Sequence, residues 1–86
     1  MTKVKCDVLY RNGPNVLVRI GKYFPVVHRK DILTMGENTF LSVIVLHQRC
    51  KGAPAEIALL GLIDTPTYSV RTLLVKENLL CEDENA

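Results

Sequence analysis

A chain of 86 residues is long enough for one small domain, and 48% hydrophobic residues without tryptophan give it an aliphatic core. The formal net charge of +2 divides into +6 over residues 1–51, with nine Lys/Arg against three Asp/Glu, and −4 over residues 52–86, with two against six. No apolar run reaches the ~18 residues of a membrane-spanning helix, and the first residues lack a signal-peptide core, so we expect a cytoplasmic protein without a membrane partner.

Alternation of apolar and polar residues predicts an antiparallel meander at the start of the chain. Residues 2–10 alternate over nine positions, which is typical of a half-buried strand. The turn sequence Asn-Gly-Pro-Asn follows and residues 15–20 alternate again, so the two runs predict a hairpin. A third strand is expected over 23–28, where Pro25 places it at a sheet edge or at a bulge.

The alternation of the first strand assigns its side chains to two faces. Tyr10 falls in phase with core residues such as Val4. Lys3, Lys5 and Arg11 go with the opposite, polar face, so we expect these three cations to be exposed.

Further strands are predicted in the second half. Residues 29–33 are expected to leave the sheet in a turn or short 3₁₀ element, and 39–47 form a strand that is apolar on both faces, a pattern typical of burial on both sides. Alternating apolar residues favour a strand over 56–63, whereas a proline suited to the first helical position supports a helix at 54–62. A last β run covers 68–75.

The pattern predicts an all-β fold, a small antiparallel barrel or sandwich of five to six strands, either SH3-like or OB-like. A helix at 54–62 would instead give an α+β roll. One β-rich domain is expected over 1–80, followed by an acidic, disordered tail at 81–86. Because a barrel this small has one interior, the two-faced apolar segments 40–46 and 57–63 predict a partner chain or a second copy that covers one face.

The reactive residue types do not occur at catalytic or metal-binding spacings. His47 and Cys50 lie three residues apart, but no Cys-x-x-Cys and no glycine-rich phosphate loop is present. Cys50 lies between Arg49 and Lys51, whose charges favour its thiolate and make it the most reactive thiol. We therefore predict that the chain is not an enzyme and has no metal, no cofactor and no small-molecule substrate.

The cations of the first half are expected to gather on one side of the sheet, with Tyr23 as the exposed aromatic residue. The predicted contact residues are Lys3, Lys5, Arg11, Arg19, Lys22, Tyr23, Arg29 and Lys30. From these features we predict a small non-catalytic protein-binding module that self-associates into a homo-oligomer. Its size suggests a regulator or inhibitor encoded by a phage or mobile element. The alternative is an OB- or SH3-like domain that binds nucleic acid through the same basic face, because basic sheets with aromatic residues hold single strands.

Overall fold

A computed structural model describes residues 2–59 and 72–82, which form one antiparallel sheet of eight strands curled into a half-barrel. The strands are β1 Thr2–Asn12, β2 Asn15–Arg19, β3 Val26–His28, β4 Ile32–Met35, β5 Asn38–Gln48, β6 Ala55–Leu59, β7 Thr72–Val75 and β8 Leu80–Glu82. Their order is β3-β2-β1-β5-β6-β7, with β4 also beside β5 and β8 also beside β1. Two 3₁₀ turns, Arg29–Asp31 and Glu77–Leu79, precede β4 and β8.

Two long strands change neighbours halfway along, and this curls the sheet. The first half of β1 lies between β5 and β8, whereas its second half pairs with β2. The first half of β5 lies between β4 and β1, whereas its second half pairs with β6. The right-handed twist of strands turns such an exchange of neighbours into a concave sheet with one inner face.

The core fills that inner face with aliphatic side chains from most of the strands. Its largest fully buried members are Ile20, Leu41, Ile57, Val4, Val16, Val18, Val27 and Pro25. β-branched residues dominate because they pack well on a pleated surface. Tyr23, Leu79 and Leu80 pack against the edge of this cluster.

The predicted all-β fold is confirmed, and it contains more strands than the five or six expected. β4 begins at Ile32, within the segment 29–33 that was expected to leave the sheet, and only the 3₁₀ turn Arg29–Asp31 does so. β6 confirms the strand prediction at 56–59, and the alternative helix at 54–62 is wrong over Ala55–Leu59. β7 confirms the last β run over Thr72–Val75, and the rest of both predictions lies outside the described residues.

The acidic tail was expected to begin at residue 81, but β8 extends to Glu82. Cys81 pairs with Lys3 and Glu82 pairs with Thr2 along the free side of β1. Leu80 packs against the core and brings the two following residues to that edge. There, backbone hydrogen bonding outweighs the tendency of an acidic segment to stay disordered. Residues 83–86 lie outside the described part of the chain.

A β-bulge in β1 reverses the faces that simple alternation assigns. The β1–β2 register shifts between Val8, opposite Val18, and Tyr10, opposite Leu17, so Leu9 is the extra residue. Because side chains alternate with period two, one extra residue moves each following side chain to the other face. The prediction that Tyr10 points to the core is therefore wrong, and its side chain is 64% exposed.

The second half of β5, which was expected to be buried on both sides, is exposed in the single chain and contains a second bulge. The β5–β6 register shifts between Val45 and His47, so Leu46 is the extra residue. Ile44 and Leu46 are 50% and 49% exposed in the single chain. Leu41 and Val43 point into the core, and Ser42 on the other face of the first half of β5 is buried as well.

Candidate binding surface

The face of β1, β2 and β3 that points away from the core carries exposed apolar side chains in neighbouring positions. The β1–β2 and β2–β3 pairings align these outward residues in rows across the three strands. The Ile20–Tyr23 bridge continues the β2–β3 register, which places Phe24 opposite Arg19. We name the four apolar residues of these rows the outer patch: Tyr10, Leu17, Phe24 and Val26.

Three of the four apolar side chains in the outer patch are exposed to solvent. Tyr10 is 64%, Phe24 60% and Val26 45% exposed, and Leu17 lies half-buried between Tyr10 and Val26. Exposed apolar residues that stand alone are ordinary, whereas several in contiguous positions on one face mark an interaction surface. The patch is therefore the apolar centre of a candidate binding surface.

Lys3 does not belong to this surface, because it is 5% exposed. Its ammonium group donates a hydrogen bond to Met35 Sδ at 3.2 Å and lies 5.4 Å from the centre of the Phe40 ring. These contacts come from neighbouring strands, because Met35 lies in β4 and Phe40 in β5. Contact with the ring contributes about 0.5–2 kcal/mol and compensates in part for the lost hydration. The prediction that Lys3 is an exposed cation is wrong.

Arg19 lies on the outward face, but its charge is shared with a neighbour. Asp7 and Arg19 face each other across β1 and β2, and Arg19 Nη2 is 2.6 Å from Asp7 Oδ2. Both side chains are more than half exposed, so this pair contributes little to stability. It nevertheless reduces the net positive charge next to Phe24. Lys5 remains exposed on the same face, opposite Phe40.

Three other predicted cations lie near the turn of the β1–β2 hairpin. The bulge places Arg11 opposite the buried Val16, on the other face from Lys5, so the prediction that they share a face is wrong. The Arg29 backbone N–H donates to Pro14 O at 2.8 Å, which holds the first 3₁₀ turn against the hairpin. The Lys30 N–H donates to His28 Nδ1 at 3.1 Å, so this histidine caps the turn.

Lys22 and Tyr23 lie at the opposite end of β2. The Lys22 ammonium group lies over the Tyr23 ring, 5.5 Å from its centre. Tyr23 packs against the core and is partly buried, so the expectation that it is the exposed aromatic residue is wrong. Tyr10 and Phe24 are the exposed aromatic side chains on the outward face.

Five of the predicted cations form two groups, one at each end of the outer patch. Lys5, Arg19 and Lys22 lie at one end, and Arg29 and Lys30 lie near the hairpin turn at the other, whereas Arg11 lies on the opposite face. Between them the surface is apolar. The sequence predicted a single basic face, and the described structure instead has an apolar centre between basic ends.

A cleft of about 580 Å³ opens beside the second 3₁₀ turn. Two lysines and an asparagine, Lys22, Lys76 and Asn78, supply its polar lining, and Pro54, Leu74 and Leu79 supply apolar walls. The size falls within the range of ligand sites. This cleft could not be predicted from the sequence, because its walls come from three segments that are at least 20 residues apart.

Glu77 connects the loop between β5 and β6 to the second 3₁₀ turn through hydrogen bonds. Its Oε2 accepts from the Gly52 backbone N–H at 2.7 Å and from Gln48 Nε2, which also donates to Ala53 O at 2.9 Å. The hydrogen bond from Gly52, then that from Gln48, and then the charge of Lys51 hold the pKa of Glu77 below its ordinary value of 4.5. The carboxylate therefore helps to shape one side of the cleft.

We expect the ionisation of Glu77 to make the free energy of unfolding depend on pH in the acid range. A folded-state pKa below the unfolded value means that its stabilisation is present above about 4.5 and is lost as the pH falls through the folded-state pKa. In urea unfolding, the stability lost by Glu77→Gln should be larger at pH 6 than at pH 3. The same loss at both pH values would contradict the role of the ionised carboxylate.

The thiols and histidines do not form a reactive cluster in the described residues. Burial, and then the negative charge of Asp7, raise the pKa of the Cys6 thiol from 9.0 to about 11, so Cys6 is a core residue. Cys50 is exposed in the loop before β6. Within residues 2–59 and 72–82, no group of three His, Cys, Asp or Glu side chains could hold a metal ion.

No family model, curated protein or solved structure matches the chain. Within the described ranges, none of the helical segments is long and apolar enough to cross a membrane.

Proposed function

We propose that the chain is a small non-catalytic protein-binding module that uses the outer patch as its contact surface. The observation that carries the proposal is the row formed by Tyr10, Leu17 and Val26 across three strands. Interfaces concentrate their binding energy in a few exposed aromatic and aliphatic residues that become buried, and charged residues are depleted from that centre.

The charges around the outer patch specify the chemistry of the partner. Lys5 and Lys22 lie at one end, and Arg29 and Lys30 lie near the other. A surface with an apolar centre and carboxylates on both sides would complement this arrangement and associate faster with it. The proposed partner is therefore an acidic protein, and regulation or inhibition of that protein is the activity expected of a module without catalytic residues.

Affinity capture from a lysate of the source organism, with and without nuclease, tests this function. We expect the immobilised chain to retain a protein with an acidic surface, and nuclease should not release it. Retention that disappears after nuclease treatment, or that persists when the outer patch carries a charge, would overturn the proposal.

Single-stranded nucleic acid is the second candidate ligand. Tyr10 and Phe24 are exposed aromatic rings on the same face as Lys5, and such rings can stack with bases. The separation of the cations into two groups argues against it, because phosphate binding benefits from a continuous basic track. Binding of an oligonucleotide that weakens steeply with salt would favour this candidate over the protein partner.

We propose that self-association uses a different surface, on β5. Ile44 and Leu46 are exposed there, and a second copy would bury them. Light scattering at micromolar concentration should give a mass above 9.7 kDa, and Leu46→Glu should return it to about this value. A wild-type chain that is monomeric throughout the range would contradict this surface.

A further inference from the structure

The cleft beside the second 3₁₀ turn is positively charged. The charged side chains in its described lining are Lys22 and Lys76. A neighbouring depression of about 340 Å³ contains Glu77, whose carboxylate is already engaged by Gly52 and Gln48. An entering group therefore meets two ammonium ions, and an acidic group would be favoured.

The cleft continues towards the outer patch through a gap in the sheet. On one side of β1, pairing with β8 ends at Val4 and pairing with β2 begins at Asp7. Among the described strands, none pairs with Lys5 or Cys6 on this side. A depression of about 280 Å³ occupies the gap; its lining includes Lys5 and Arg19 and shares Gly21 and Leu79 with the cleft.

The cleft of about 580 Å³ and the depression of about 280 Å³ adjoin each other and form an elongated site with cations along its length. In the depression of about 280 Å³, the charge of the Asp7 carboxylate is balanced by Arg19. Lys5 therefore gives this depression a net positive charge. Arg19 also stands opposite Phe24, which connects this end of the site with the outer patch.

We propose that this elongated site binds an extended acidic peptide segment of the protein partner; the inference rests on the proposed function and names how the partner is anchored. An extended chain advances about 3.3 Å per residue and turns alternate side chains to opposite sides. Its carboxylates can therefore face Lys22 and Lys76 while aliphatic side chains contact Leu74 and Leu79. The cleft walls are aliphatic and its described lining has no aromatic ring on which a base could stack, which favours a peptide over a nucleic acid.

Fluorescence anisotropy with a labelled hexapeptide, Glu-Leu-Glu-Ala-Glu-Leu with an amidated end, tests this site. We expect binding to the wild-type chain, with affinity reduced at least tenfold by the double substitution Lys22→Glu and Lys76→Glu. The matched control is the double substitution Arg11→Glu and Arg49→Glu, which changes the net charge equally at two exposed cations outside the lining of both depressions and should change affinity by less than threefold. A peptide with glutamine in place of glutamate should bind at least tenfold more weakly.

Equal losses in the cleft variant and in this double control would overturn the site, because only net charge would then matter. Absence of binding to a folded wild-type chain at millimolar peptide would overturn it as well. If the peptide fails while the captured partner still depends on the outer patch, the cleft proposal alone is wrong. If the partner is retained regardless of the outer patch, the proposed function is wrong whatever the peptide does.

Discussion

Replacing Leu41 with alanine is expected to lower the free energy of unfolding by about 2–5 kcal/mol. Leu41 is fully buried in β5 and lies between β1 and β4, opposite Val4 on one side and Ile32 on the other. Removing its branched end leaves a cavity that two paired neighbours cannot easily fill, since both are held in register. A domain this small has about 5–10 kcal/mol of total stability, so a large part would be lost.

The matched control is Leu74→Ala, because Leu74 is also a strand leucine but is 55% exposed. It should change the unfolding free energy by less than about 0.5 kcal/mol. Urea unfolding followed by circular dichroism measures both variants. Similar losses in the two variants would contradict the assignment of the inner and outer faces of the sheet.

Replacing Val26 with glutamate is expected to weaken binding of the protein partner at least tenfold. Val26 is 45% exposed beside Leu17 at the edge of the sheet, so the chain should tolerate the substitution. In the complex the new carboxylate would be buried in an apolar centre and would face an acidic partner. Burying an unpaired carboxylate costs free energy, and repulsion from the acidic protein also opposes binding. A cost of about 1.4 kcal/mol already corresponds to a tenfold loss of affinity.

Leu33→Glu is the matched control for this variant. Leu33 is 38% exposed on β4, which is separated from β2 and β3 by β5 and β1. Titration of the captured partner against immobilised chain should show an unchanged affinity for this control. An equal loss for both variants would assign the effect to net charge, and an unchanged affinity for Val26→Glu would remove the outer patch from the interface.

Strand positions could be predicted from the sequence where apolar and polar residues alternate or where a continuous run of apolar β-forming residues occurs. The first hairpin, the central strand β5 and the start of β6 lie where the pattern placed them. β4 and β8 were missed because they are short and depend on pairing with β5 and β1, which local sequence does not encode. Strand pairing between distant segments is a tertiary effect that outweighs local preference.

The residues of the binding surface were less predictable, because a bulge and contacts between distant strands decide which side chains are exposed. Three consecutive apolar residues, Val8, Leu9 and Tyr10, interrupt strict alternation and were the available sign of a bulge. Without the bulge, Tyr10 is assigned to the core and Arg11 to the basic face. The burial of Lys3 was also hidden, because it depends on Met35 and Phe40 from other strands.

The central claim is that the outer patch is the surface that contacts the partner, and amide chemical-shift mapping tests it most directly. In a two-dimensional ¹⁵N–¹H spectrum, adding the captured partner should shift or broaden the signals of residues 9–11, 16–18 and 24–27. Signals near Ile44 and Leu46 should change little. Changes confined to those two positions, with the outer patch unaffected, would contradict the account.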